Sequence, residues 1–267
     1  KEKLINFEKK NNKSLFSIVK NSDLLKLLEK NLKKNKLFKL INTEKISKIK
    51  VDYNLVINTD YSNQVTKKLF NKKIVKKYNS IAYVTIIEHQ NLKNNIATQI
   101  FTRNGPLAFL PISNNKTSIV FSDHGLNYRT DENIYKLINR HNIKYKIKKM
   151  KKVRFFELKS LNLRSYYNSN ILAFGDLIHR IHPLAGQGFN MTIRDIKTLL
   201  EIIVNKQNLG LPIDNSVCDE FEKKSKHKNF IFSTGIDFIH EFFNLERKIK
   251  GNLLSKSVQM LGKNVSM

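Results

Sequence analysis

One window limits the fold of this chain more than any other: Gly175-Asp176-Leu177-Ile178-His179-Arg180-Ile181-His182-Pro183-Leu184-Ala185-Gly186-Gln187-Gly188-Phe189-Asn190. Upstream of it, Ile171-Leu172-Ala173-Phe174 is an apolar run of the length of a buried strand. Downstream, Ile193, Ile196, Leu199, Leu200 and Ile203 recur at helical spacing, which predicts a helix over roughly 188–204. The order is strand, Gly-Asp, a loop with a His-Pro turn, Gly-x-Gly, helix. A carboxylate at a strand end accepts hydrogen bonds from sugar-like hydroxyls. Glycines at a helix start let backbone N–H groups approach an electron-rich ligand, and the helix dipole favours negative charge there. A ligand with a polyol chain and an anionic ring edge suits both halves.

The window resembles the second FAD-binding motif of the flavoprotein monooxygenases with the para-hydroxybenzoate hydroxylase fold. Among these it is most similar to the ubiquinone-biosynthesis hydroxylases, whose pattern runs Gly-Asp-Ala-Ala-His-x-x-His-Pro-x-Ala-Gly-Gln-Gly-x-Asn-x-Gly-x-x-Asp. Gly175, Asp176, His179, His182, Pro183, Ala185, Gly186, Gln187, Gly188, Asn190 and Asp195 match; Leu177-Ile178 replaces the small pair, and Thr192 stands where Gly is common. The resemblance implies that Gly175 and Asp176 hold the ribityl chain of FAD. It implies that the backbone of Gly186, Gln187 and Gly188 faces the negative edge of the reduced ring. Pro183 then shapes the loop beside the ring, and Asn190 contacts the ring or fixes the helix start. His182 is an orienting residue, and no side chain is identified as a proton-transfer catalyst.

A second segment carries the resemblance further. Leu55-Val56-Ile57 reads as a strand leading into Asn58-Thr59-Asp60-Tyr61-Ser62-Asn63, which is similar to the family's Gly-Ala-Asp-Gly-x-x-Ser. The Asp and glycines of that motif lie near the cofactor and the NAD(P)H path, so Asp60 joins the expected cofactor-binding residues. Asn58 and Tyr61 stand where glycine is usual. Asn tolerates a left-handed backbone; Tyr does so poorly.

The remaining elements follow from local pattern. A loop and a short strand are expected by residue 20, then a helix capped by Asn21 or Ser22 with Leu24, Leu25, Leu27, Leu28 and Leu32. Short strands are expected at Leu37 to Ile41 and Ile46 to Val51. From about 78 to 165, apolar runs at Ile81 to Ile87, Ile96 to Phe101, Leu107 to Pro111 and Thr117 to Phe121 alternate with Asn, Gly, Ser and Lys turns. A helix near 131–140 and a strand from Arg154 to Leu161 complete that block. Gly105-Pro106-Leu107-Ala108-Phe109-Leu110-Pro111 resembles the family's Gly-Pro-Leu-Ala-Leu-Leu-Pro, read either as a bulge or tight turn or as a substrate contact. Two or three helices are expected over 214–262. There, Phe230, Ile231, Phe232, Ile236, Phe238, Ile239, Phe242 and Phe243 form an aromatic and aliphatic stripe expected to pack on the core, with a membrane or partner face as the alternative.

These readings assemble into an α/β (α+β) fold. Residues 1–65 and 166–205 form an incomplete FAD-binding domain, 66–165 an inserted antiparallel substrate sheet, and 206–267 a C-terminal helical region. The chain has nine Gly, none of them in a Gly-x-Gly-x-x-Gly following a strand. The resembled proteins open with that βαβ unit, which holds the ADP half of FAD. The chain is therefore read as covering the middle and later parts of the family.

Charge and cysteine restrict the alternatives. The 49 Lys+Arg against 22 Asp+Glu give a formal charge of +27 over 267 residues. The bases are mostly Lys, scattered among Asn and Ile, and Arg is scarce, so no patterned nucleic-acid face is expected. Cys218 is the single cysteine, which excludes an intrachain disulfide and argues against a nucleophile on its helix. His179 and His182 lack a convincing third ligand, and no metal is expected. No Gly-x-Ser-x-Gly hydrolase elbow occurs.

The resemblance thus implies FAD- and NAD(P)H-dependent hydroxylation of an aromatic ring, with a polyprenylated phenol or quinol of ubiquinone biosynthesis as substrate. It implies a cytoplasmic enzyme meeting that substrate peripherally at an inner membrane or within a quinone-synthesis complex. The alternatives are another flavin-dependent hydroxylase or epoxidase, a non-catalytic relative, and a basic binding protein for nucleic acid or anionic lipid.

Overall fold

The computed structural model describes residues 16–41, 53–102, 104–142, 144–181 and 187–249. They divide into two compact units, one of residues 16–41 and 79–157, the other of 53–78 and 158–249. The sequence placed the corresponding divisions at 65/66 and 165/166.

In the first unit, β2 (Lys73–His89, shared with the second unit), β3 (Thr98–Thr102), β4 (Gly105–Ser113) and β5 (Lys116–His124) are antiparallel. The order is β2-β5-β4-β3, and β6 (Ile147–Met150) pairs with β2. Alternation buries Leu107 and Phe109 of β4, Ile119 and Phe121 of β5, and Tyr83 and Ile87 of β2 against Ile134 and Ile138 of α3 (Asp131–His141). Thr130 caps α3 by accepting the Asn133 N–H at 3.3 Å. The opposite sheet face carries Val84, Ala108, Leu110 and Val120, all half-buried, with Val120 opposite both Val84 and Ala108. The four strands expected between 81 and 121 are all present.

At Gly105 the turn reading is met by a close backbone approach. Its φ is +137°, and a β-carbon there would stand 1.8 Å from the Ser122 carbonyl oxygen. Thr102 Oγ1 donates to the Gly105 carbonyl at 2.7 Å, closing the turn between β3 and β4.

The N-terminal expectations are corrected in part. α1 (Asn21–Leu32) forms, but Lys20 is its N-cap and no side chain caps it. It buries no residue, and Leu25, Leu27, Leu28 and Leu32 are exposed. Residues 16–20 and 38–41 form no strand. Among the described residues their apolar side chains find no neighbouring strand to complete a ladder, and an isolated strand gains nothing from β-propensity alone. The strand expected at 46–51 lies outside the described residues.

In the second unit, β1 (Val56–Asn58) and β9 (Ile171–Ala173) are parallel, with Asn58 opposite Ala173, and β8 (Tyr167–Asn168) pairs antiparallel with β9. β7 (Arg154–Leu163), shared with the first unit, pairs through Leu161 and Asn162 with β10 (His179–Arg180). Two helices cover this framework: α4 (Gln187–Asn208) and α5 (Asn215–Ile249). The core joins Leu172, Ala173 and Phe174 to Leu199 and Ile202 of α4 and to Val217, Cys218 and Phe221 of α5. Burial pushes the Cys218 thiol up to about 11, which removes it as a nucleophile at neutral pH.

Residues 215–249, within the span 214–262 expected to hold two or three helices, form one continuous helix, and residues 250–262 lie outside the described residues. Its 35 residues contain no Pro, and i,i+4 pairs such as Lys223–Asp219 and Lys226–Glu222 run along it. Of its aromatic and aliphatic stripe, Phe230, Ile231 and Phe238 are exposed and Phe232, Ile236 and Phe242 half-buried, while Ser225, Asn229 and Ser233, four residues apart, turn inward; the side chains of residues 239 and 243 lie outside the described ones. Similarly, Leu199 of α4 is buried, but Ile193, Ile196 and Leu200 lie exposed on a second apolar face. Among the described residues, no helix is long and apolar enough to cross a membrane.

Candidate cofactor site

The parallel pair β1–β9 positions the site. Phe174 N–H donates to the Asn58 carbonyl at 2.9 Å, so the pairing continues one residue beyond β9. The carboxyl ends of both strands therefore lie side by side, the place where open α/β sheets receive ligands. Asp60 stands two residues beyond β1, and Asp176 three beyond β9.

On the β9 side, Gly175 adopts φ +64°, a left-handed turn that glycine accepts without strain. It opens a short 3-10 turn, Gly175–Leu177, which buries Leu177 and leaves Asp176 exposed. Among the described residues nothing pairs with the Asp176 carboxylate, so its acceptor capacity is available to a ligand's hydroxyls. The chain then passes through β10 to α4, whose first turn is Gln187, Gly188, Phe189 and Asn190. Asn190 Nδ2 donates to Gln187 Oε1 at 3.2 Å, which ties the first turn together. Among the described residues, a β-carbon on Gly188 would meet only Ile181 Cγ1, at 3.9 Å. His182, Pro183 and Gly186, also expected at the site, lie outside the described residues.

A buried polar cluster braces this turn. His179 is 1% exposed, and its Nε2 lies 2.6 Å from Asp195 Oδ2. Since a carboxylate only accepts, Nε2 carries the hydrogen. Asn229 Nδ2 donates to Asp195 Oδ1 at 3.1 Å and Oδ2 at 3.3 Å. β10, α4 and α5 are thus pinned through one carboxylate. Sequence reading matched His179 and Asp195 to the motif without joining them, and it missed Asn229 altogether, because nothing in the local pattern of α5 marks that position. Among the described residues no group of three or more His, Cys, Asp and Glu is arranged to hold a metal.

On the β1 side, side-chain hydrogen bonds shape the loop. Asn58 is buried; its Nδ2 donates to Thr66 Oγ1 at 2.8 Å, and its Oδ1 accepts from Asn63 Nδ2 at 2.8 Å. Asn63 caps α2 (Gln64–Leu69) by accepting the Thr66 N–H at 2.8 Å. Neither Asn58 nor Tyr61 has a positive φ, so the loop turns without glycine. Asp60 accepts the Ser62 hydroxyl and N–H, each at 2.7 Å, and these bonds hold its carboxyl below the usual carboxylate range. Tyr61 is exposed, and the Arg180 guanidinium lies over its ring.

These features test the fit of FAD. Among the described residues, an unpaired carboxylate beyond a left-handed glycine, followed by a helix start whose glycine is uncrowded, suits a polyol joined to an electron-rich ring.

Comparison with known proteins agrees. Residues 61–207 match the family model described as an FAD binding domain. The 3-demethoxyubiquinol 3-hydroxylase of Escherichia coli is 27% identical over 202 residues, covering 71% of this chain and 51% of that protein. The ubiquinone hydroxylase UbiL of Rhodospirillum rubrum is 29% identical over 176 residues, covering 62% and 41%. The chain spans about half the length of the curated relatives it matches. Among solved structures, HpxO of Klebsiella pneumoniae, complexed with FAD and uric acid, superposes with a TM-score of 0.58 at 10% identity, covering 77% of this chain and 56% of that one. That likeness concerns the fold. The match over residues 61–207 spans more than half of the sequence, and the chain belongs to the FAD binding domain family.

Proposed function

We propose that this chain is the flavin- and substrate-binding part of an FAD- and NAD(P)H-dependent aromatic hydroxylase acting on a polyprenylated phenol or quinol in ubiquinone biosynthesis. The observation that carries the reading is the unpaired Asp176 beyond the left-handed Gly175, at the carboxyl end of a parallel strand that leads into α4. In this reading Asp176 accepts hydrogen bonds from the ribityl hydroxyls, and Gly175 lets the chain turn to present it. Gly186, Gln187 and Gly188 turn backbone N–H groups toward the ring, Pro183 shapes the loop, and Asn190 holds the first turn of α4. Asp60 faces the same strand ends. Bound FAD supplies the redox chemistry that couples NAD(P)H and O₂ to ring hydroxylation; the residues here bind, orient and exclude water.

The substrate class is supported by the names of the relatives and by the apolar sheet face of Val84, Ala108, Leu110 and Val120. The domain roles follow: 166–205 with the β1 segment holds the flavin, and the sheet within 66–165 receives the ring and its prenyl tail. Such a substrate resides in a bilayer. We place the protein peripherally on the cytoplasmic side of an inner membrane or in a quinone-synthesis complex. The exposed Phe230, Ile231 and Phe238 and the positive charge support contact with anionic lipid.

Two substitutions test the flavin site in the whole protein. Asp176→Ala is expected to weaken FAD retention by about 1.5–3 kcal/mol, the worth of hydrogen bonds to a charged acceptor. Gly188→Val is expected to lower flavin content, because in this reading the added carbons enter the space that the ring edge takes at the start of α4. Flavin-to-protein ratios by absorbance, with melting curves alongside, decide both. Unchanged flavin content in the two variants would remove the assignment. For the pathway, deletion of the gene is expected to deplete ubiquinone and accumulate an under-hydroxylated precursor; normal ubiquinone would refute it.

A further inference from the structure

We infer that Arg180 binds a phosphate of the nicotinamide dinucleotide co-substrate, with Tyr61 holding its guanidinium ready. This rests on the flavin-hydroxylase reading above. The guanidinium carbon of Arg180 lies 5.3 Å from the centroid of the Tyr61 ring, and both residues are exposed. Tyr61 occupies a position that is glycine in the resembled motif, so the ring is an addition to that loop. Arg180 fills a position the Gly-Asp motif leaves open. The fold brings these two otherwise unremarkable sites together.

Among the described residues no carboxylate pairs with Arg180. Arg129, by contrast, is committed to the buried Asp123 through two hydrogen bonds. The nearby Asp60 carboxylate is engaged by Ser62. A guanidinium resting on an aromatic ring keeps its donor fork ordered and outward, and loses less freedom on binding. That fork matches the paired oxygens of a phosphate. Both residues sit on the segments leaving the carboxyl ends of β1 and β9, beside Asp60 and the Gly175–Asp176 turn.

FAD and NAD(P)H both carry phosphates, so the chemistry alone admits two sources. Residence separates them in this reading. A resident flavin is held through Asp176 and the start of α4, whereas a co-substrate must arrive and leave at each turnover. A preorganised cation beside that site suits the second.

The experiment uses the whole protein, with steady-state kinetics, flavin content and direct titration with NADPH. Arg180→Ala is expected to raise the KM for the nicotinamide nucleotide and the Kd for NADPH tenfold or more, with kcat and bound flavin near wild type. Arg180→Lys is expected to recover only part of this, since a point charge lacks the planar fork. Tyr61→Ala is expected to raise the KM about threefold, the scale of an exposed cation–π contact, and Tyr61→Phe to restore it. Equal NADPH affinity in wild type and Arg180→Ala would overturn the inference. So would flavin loss with NADPH affinity intact, which would assign the phosphate to FAD. Wild-type protein that retains no flavin fails the parent reading instead, and the NADPH titration still decides the role of Arg180.

Discussion

Gly105→Ala is expected to lose on the order of 3–5 kcal/mol of stability, enough to leave a marginally stable protein largely unfolded. Two penalties coincide at this position. The backbone sits at φ +137°, where a side chain is strained, and the new carbon would stand 1.8 Å from the Ser122 carbonyl oxygen. That oxygen belongs to β5, so relief requires moving backbone in the middle of the sheet. Gly125→Ala is the matched control. Its φ is +97°, but a β-carbon there meets nothing within 4 Å, so only the conformational strain of about 1–2 kcal/mol applies. Urea denaturation of the two variants separates the effects. Equal losses at both positions would mean that the close approach of β4 to β5 contributes nothing.

Asp195→Ala should cost about 3–5 kcal/mol, the usual consequence of removing one partner from a buried pair. His179 and Asn229 are 1% and 2% exposed, so neither can turn to water once the carboxylate is gone. Asn229→Ala removes only a donor and leaves the His179–Asp195 contact intact, so a loss of about 1–3 kcal/mol is expected. The double variant should lose less than the sum, because both changes break the same cluster. Additive losses in the cycle would show that Asp195 and Asn229 act independently. Flavin retention in Asp195→Ala is also expected to fall, since β10 and α4 are both anchored through this carboxylate.

The cofactor segment was legible because its chemistry is local. The Gly-Asp turn, the buried Leu172-Ala173-Phe174 run and the following helix each depend on neighbours within a few residues, and all three form. The sheet strands between 81 and 121 were legible for a similar reason, since alternation and turn residues report burial on one face. The short strands proposed at 16–20 and 37–41 failed because apolar character without a pairing partner specifies no ladder. α5 departs in part from the sequence reading. Its continuity depends on an unbroken run of helix-compatible residues, and its orientation on Asp195. The carboxylate draws Asn229 inward, and Phe230 and Ile231, next in sequence, are consequently turned outward. A hydrophobicity pattern alone assigns the aromatic side to the core. A buried carboxylate needing donors reverses that assignment.

By itself, the sequence determined the order of elements at the flavin segment and the absence of an intrachain disulfide, because these depend on residue type and adjacency. Tertiary structure alone decided the pairing of β1 with β9, the convergence of His179, Asp195 and Asn229, and the stacking of Arg180 on Tyr61. Residues 61 and 180 are far apart in the chain. Only the parallel register that sets Asn58 opposite Ala173 brings the segments beyond them to the same edge, and contacts between distant segments leave no periodicity for a sequence to reveal.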